Sequence, residues 1–274
     1  MKPINRVDVN GFQMDDEPVR IIDSHLHLDM LLDRIGDTAA WFKREEIFPV
    51  SWSYAYAGVD SVAGLATYFA AQAERFARVQ NYLPCAYLVG IHPRNLPNDL
   101  RPEQVGELLE PWISKAGCVG LGEIGIDTDD PREAEIFEAQ VCWSAQLLET
   151  QVVGVHTPRV DKSSVTRQIL DILDRCAPRP DRVVMDHCSS ETLPRVLEGP
   201  YWAGISLSPN KSSIDEAVEM MLGHADQLDR MMCNTDSALE IYDHLTVLAT
   251  DDRLTTKQRE QLLCGTAKAF MLGG

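Results

Sequence analysis

The chain has 274 residues, of which 45% are hydrophobic and 24% charged, a composition that fits a globular fold and excludes a disordered or fibrous one. Lys and Arg number 25 against 42 Asp and Glu, a net charge of −17, which argues against strong non-specific binding to nucleic acid or anionic lipid. The start, Met1-Lys2-Pro3-Ile4-Asn5-Arg6, has no apolar signal region, no apolar run reaches about 18 residues, and the seven cysteines contain no C-x-x-C pair. The expectation is a reduced, cytoplasmic protein forming a single domain over residues 1–274, with 1–18 as a loose N-terminal extension.

In chain order, β-rich apolar runs predict strands at 19–24, 46–51, 83–91, 117–122, 152–156, 181–187, 201–206 and 229–234. The run at 46–51 is the weakest, because Pro49 has no N–H for a central ladder. Residues 30–60 read as a long first βα segment carrying Trp41, Trp52, Tyr54 and Tyr56. Amphipathic patterns predict helices over 61–80, 102–115, 131–150, 163–176, 191–198, 212–224, 237–249 and 255–271. Pro102 and Pro131 suit first helical positions, and Ser163 and Ser212 are candidate N-caps. Eight strands alternating with helices predict an α/β fold, a (β/α)8 TIM barrel. An open doubly wound sheet would instead show a Gly-rich turn after its first strand, where this chain reads Asp23-Ser24-His25-Leu26-His27.

His25 and His27 stand two apart at the end of the first strand, so they share a face. Paired imidazoles suit a borderline metal, although H-x-H by itself is a weak motif that also fits two loop histidines. The pattern strengthens downstream. Glu123 follows strand four, His156 and His187 end strands five and six, and Asp236 follows strand eight. Six ligand-type residues thus gather at the C-terminal ends of strands, the face where such barrels keep their chemistry. That is more than one ion can use while leaving room for water and substrate, which suggests two divalent metals (Zn, Mn, Mg or Co) with Glu123 as the bridge.

The segments Asp23-Ser24-His25-Leu26-His27-Leu28-Asp29, Val89-Gly90-Ile91-His92-Pro93, Gly122-Glu123-Ile124-Gly125-Ile126-Asp127, Val155-His156-Thr157, Asp186-His187-Cys188 and Asn234-Thr235-Asp236-Ser237 resemble the ordered motifs of TatD-related metal-dependent hydrolases. The resemblance spans about residues 19–270 and implies a binuclear centre in an amidohydrolase-like barrel. It assigns His25, His27, Glu123 and Asp236 to the first metal and Glu123, His156 and His187 to the second. It also implies hydrolysis of phosphodiester or related ester bonds. The chain departs from the DNase-type members in Ser189-Ser190, where they carry an aromatic residue and Gly, in Ala238, where they carry Pro, and in a longer segment 30–60. These departures leave the predicted ligands intact and bear on substrate.

Around the ligands, His92 is a candidate catalytic donor to a substrate oxygen, or else a loop histidine that fixes the turn at Pro93. Arg94, Arg159 and Lys211 follow strands three, five and seven and are candidate substrate contacts, or else solvated loop charges. Asp236 is the candidate catalytic base, and Asp29 and Asp127 either orient histidines or cap turns. The expected activity is a hydrolase acting on a phosphoester or related ester of a small anionic or polar substrate, with duplex nucleic acid disfavoured as a partner. A lactonase or amidase on the same centre, or a metal-retaining scaffold without catalysis, are the alternatives.

Overall fold

A computed structural model describes residues 20–55, 58–128 and 130–273. The predicted extension at 1–18 and Tyr56 lie outside the described residues. The strands are β1 (Ile21–Leu26), β2 (Ile47–Ser51), β3 (Ala86–Val89), β4 (Cys118–Gly125), β5 (Val152–His156), β6 (Val183–Met185), β7 (Trp202–Ser206) and β8 (Met231–Asn234). All pair in parallel, in chain order β1 to β8. Asp236 N–H donates to His25 C=O at 3.0 Å and His27 N–H to Ser237 C=O at 2.8 Å, which brings the end of β8 beside β1. The result is the predicted TIM barrel. Pro49 is tolerated in it because β2 pairs with β3 only from Val50 onwards.

Parity explains why the strands are apolar on both sides. Ile22, Phe48, Val50, Ala86, Leu88, Val152, Val184 and Met232 form one buried cluster with Trp52, and Phe270 and Met271 pack against its lower end. Their neighbours Ile21, Ile47, Tyr87, Val89, Val153, Val183, Met185, Met231 and Cys233 belong to a second cluster, which the surrounding helices complete. Trp52 fills the barrel where Gly154 leaves room, since a Cβ at Gly154 would lie 2.5 Å from the indole.

The helices are α1 (Leu28–Arg34), α2 (Thr38–Arg44), α3 (Val62–Val79), α4 (Val105–Ile113), α5 (Pro131–Trp143), α6 (Lys162–Cys176), α7 (Leu193–Glu198), α8 (Ile214–Gly223), α9 (His244–Leu248), α10 (Thr256–Glu260) and α11 (Thr266–Met271). The long segment 30–60 thus contains two short helices before β2. Helix caps correct two expectations. Asp161, not Ser163, stands at the N-cap of α6, and Ser213, not Ser212, caps α8. Ser213 wins because its hydroxyl accepts from Glu216 N–H while Glu216 returns to the Ser213 N–H, a reciprocal box. Residues 237–243 are not helical, and a π-helical turn at Gln261–Gly265 joins α10 to α11. Among the described residues, no helix is long and apolar enough to cross a membrane.

Candidate metal centre

The strand registers slip where site residues stand. β1 shifts against β2 between Asp23 and Leu26, and β4 shifts against β5 between Leu121 and Ile124. Such irregularities re-aim side chains, here His25 and Glu123. His187 and Asp236 sit just beyond β6 and β8 with φ of 58° and 52°, the left-handed region that side chains other than Gly, Asn and Asp rarely adopt. Left-handed backbone thus turns both residues at the barrel mouth, and Asp236 is of the type that adopts it readily.

Glu123, almost wholly buried, is the hub. Its Oε2 faces His25 Nε2 at 3.4 Å and His27 Nε2 at 3.8 Å. Its Oε1 faces His156 Nδ1 at 2.7 Å, His187 Nε2 at 3.4 Å and His92 Nε2 at 3.6 Å. Asp236 Oδ1 lies 3.3 Å from His27 Nε2 and 3.9 Å from His25 Nε2, and its Oδ2 pairs with Lys211 Nζ at 3.0 Å. The six predicted ligands converge from five strands.

The far nitrogen of each of the four imidazoles predicted as ligands is anchored. His25 Nδ1 donates to Asp186 Oδ2 at 2.5 Å and His27 Nδ1 to the Trp52 carbonyl at 3.0 Å. His156 Nε2 donates to Asp127 Oδ1 at 2.9 Å, and His187 Nδ1 meets the Ser206 hydroxyl at 2.7 Å. With one nitrogen committed as donor, a neutral imidazole turns a lone pair towards the carboxylates of Glu123 and Asp236. In that neutral form acceptors face acceptors, and a positive charge has to stand between them, either a metal ion or a proton such as the one His25 and His156 can each share with Glu123. His25 Nε2 is indeed buried with no hydrogen-bond partner among the described residues. The donor set, imidazole nitrogens and carboxylate oxygens, fits a borderline divalent ion. Three-residue groupings that can hold an ion are His25–His27–Glu123, His92–Glu123–His156 and His25–Asp186–His187.

The electrostatics agree with a site built for positive charge. Burial favours neutral Glu123, but His92 and His25 outweigh it and hold the carboxyl well below its usual range. Burial is likewise overcome at Asp236, where Lys211 and His187 keep the carboxyl ionised. Burial disfavours charge on His25, yet Glu123 and Asp186 raise it to about 10. Burial lowers His92 to about 4 and, with Lys211 adding to it, His187 to about 3. Neutral His92 accepts at Nδ1 from the Arg94 N–H at 3.0 Å, which leaves Nε2–H as a donor beside Glu123.

A cavity of about 220 Å3 opens over the centre, and His92, Arg94, Arg159 and Lys211 all line it. Their commitments differ. Arg94 forms a two-pronged pair with Asp127 at 2.6 and 2.7 Å, and Lys211 is held by Asp236. Arg159 is exposed and forms no ion pair among the described residues. Asp127 orients His156, whereas Asp29 accepts from the Tyr68 hydroxyl at 3.3 Å within the first turn of α1.

Asp186 escaped the sequence reading as a functional residue. Besides His25 it accepts from Asn234 Nδ2 at 2.8 Å, and Gly204 is required opposite it, because a Cβ there would overlap Asp186 Oδ1. The available signal was a carboxylate in the apolar run Val183-Val184-Met185-Asp186-His187, a position that a charge occupies only when paired.

A family model described as TatD related DNase matches residues 22–240. A metal-dependent hydrolase of Methanocaldococcus jannaschii is 25% identical over 134 residues, 48% of this chain and 51% of that protein. Another from Escherichia coli K12 is 36% identical over 129 residues, 44% of this chain and 42% of its own length. The chain spans about half the length of the curated relatives it matches. The crystal structure of a TatD-like protein from Archaeoglobus fulgidus superposes with a TM-score of 0.70 at 23% identity, covering 92% of this chain and 99% of that one. That likeness shows the shared fold. With the family model covering residues 22–240 and so most of the chain, this protein belongs to the TatD-related family.

Proposed function

We propose that the chain is a metal-dependent hydrolase that cleaves a phosphoester or related ester bond in a small anionic substrate, using two divalent cations. His25, His27, Glu123 and Asp236 would hold one, and Glu123, His156 and His187 the other, with Glu123 shared. Such cations supply Lewis acidity to a substrate oxygen and acidify a coordinated water. The observation that carries the reading is the arrangement of four imidazoles, each anchored at one nitrogen and aimed at Glu123 or Asp236 with the other.

The chain's own residues supply the rest. Asp236, kept ionised by Lys211, accepts a proton from the attacking water. Neutral His92 donates from Nε2 to the oxygen on which charge develops. Trp52, stacked on His25 with ring centroids 4.0 Å apart, holds that imidazole in place. The cavity of about 220 Å3 suits a small substrate better than a duplex, and the net charge of −17 points the same way.

The test is metal analysis of the purified chain, followed by a panel of phosphodiesters, lactones and cyclic amides. A phosphodiester rate that a chelator abolishes and Zn, Mn or Co restores is the expected outcome. A rate confined to lactones or amides would move the reaction to carbonyl carbon. Metal retained with no rate on any member would favour a scaffold.

A further inference from the structure

A second cavity, of about 280 Å3, adjoins the one over the centre, and the two share Arg159, His187, Asn210 and Lys211 as walls. Its far side is formed by Lys162, Ser189, Ser190 and Ser212. Lys162 begins α6 and is half-buried, yet no carboxylate lies within ion-pair distance of its Nζ among the described residues. The ammonium is held in place by the Thr157 hydroxyl and the Pro158 carbonyl, each at 3.0 Å. Burial lowers Lys162 to about 8 and repulsion from Lys211 works in the same direction, against attraction from Cys188 and from the Asp186 and Glu191 carboxylates, which lie beyond ion-pair distance.

Three cations therefore wall one small polar space, and only Lys211 has an acidic partner. Hydrogen-bonding capacity is spare as well. The side chains of Ser190, Asn210 and Ser212 make no hydrogen bond among the described residues. Glu216, the acid on the rim, is turned away into its bonds with the Ser213 N–H at 2.8 Å and hydroxyl at 2.9 Å. A half-buried ammonium and an exposed guanidinium with no carboxylate in ion-pair contact, beside free hydroxyls, are the chemistry that recognises a tetrahedral oxyanion.

We infer that this cavity is an anion subsite that takes a phosphate group of the substrate other than the one cleaved, with Lys162 and Arg159 as its charged contacts. The inference rests on the hydrolase reading only for the identity of the substrate. It narrows that substrate to molecules carrying two anionic groups, a phosphoester with a further phosphate beyond the scissile bond. The subsite itself is a property of Lys162 and its neighbours.

Inorganic phosphate is the probe, titrated calorimetrically into the metal-loaded chain. Lys162→Met should weaken phosphate binding about tenfold or more, the loss expected for one charge-assisted contact. His156→Ala, which disturbs the metal centre, removes phosphate held by the metals but should leave the Lys162-dependent binding within about twofold. A second measurement needs no variant: phosphate should slow amine labelling of Lys162, read by mass spectrometry, while exposed Lys257 is unaffected. No phosphate binding, unchanged affinity in Lys162→Met, or loss of the Lys162-dependent binding in His156→Ala would each overturn the subsite. Phosphate binding that depends on Lys162 in a chain with no hydrolytic rate would keep the subsite and sink the hydrolase reading instead.

Discussion

Replacing Asp236 with Asn separates metal holding from proton transfer. The site tolerates the change sterically, because Asn is among the few residues that adopt the φ of 52° found there. The Asn carbonyl oxygen can replace one carboxylate oxygen, either Oδ2, which now stands 3.0 Å from Lys211, or Oδ1, which stands 3.3 Å from His27. Losing the whole partner of a buried charge costs about 3–5 kcal/mol, so keeping one acceptor should confine the stability loss to about 1–2 kcal/mol. The basic site, by contrast, vanishes. Removal of a general base typically lowers rate by about 10²–10⁴, or roughly 3–5 kcal/mol at about 1.4 kcal/mol per decade. The assay is kcat on a chromogenic phosphodiester, with metal content and thermal melting measured on the same sample. Metal and fold largely retained with turnover down at least a hundredfold is the expected result. Near-normal turnover at full metal occupancy would refute the role of Asp236, and a large loss of metal would make it a ligand first.

Asp186→Asn should weaken metal binding about 10–100-fold in chelator competition, because His25 loses the carboxylate that orients it at 2.5 Å; unchanged affinity would exclude that role. Gly204→Ala should destabilise by about 1–3 kcal/mol in denaturant unfolding, since the added methyl overlaps Asp186; a neutral result would mean the barrel wall yields more easily than its packing implies. Lys162→Met should raise the melting temperature in phosphate-free buffer near neutral pH. The folded chain holds Lys162 at about 8, below its ordinary 10.5, so the charged amine opposes folding below pH 8 and that penalty fades as pH rises towards 10.5. A gain that persists undiminished at pH 10.5 would show that packing, not charge, is responsible.

The barrel was legible because each strand buries both faces and so reads as a short unbroken apolar run, from Ile21-Ile22 to Met231-Met232-Cys233. Helix limits were less legible. The pattern over 237–249 continues the amphipathic spacing, but helix begins only at His244, after the left-handed turn at Asp236 and the capped loop from Ser237. The two helices of segment 30–60 are each only seven residues long, too short for periodicity to register. The six proposed ligands were readable because strand ends confine them to one rim. Asp127 was readable only as an alternative, orienting a histidine or capping a turn, and Asp186 was not readable as functional, since what makes it matter is contact with a histidine 161 residues away in sequence. Lys162 was hidden for the opposite reason. Its sequence position lies just before the predicted helix at 163–176, among ordinary polar residues, and only the lack of a carboxylate at ion-pair distance in three dimensions sets it apart.

The proposed shared centre is tested most directly by counting metal in two proteins. Elemental analysis of the purified wild type, after equilibration with zinc or manganese, should give about two ions per chain, and His156→Ala should fall towards one, because His156 and His187 serve only the second ion. A wild-type content that never exceeds one per chain, or a His156→Ala content equal to that of wild type, would contradict the binuclear account.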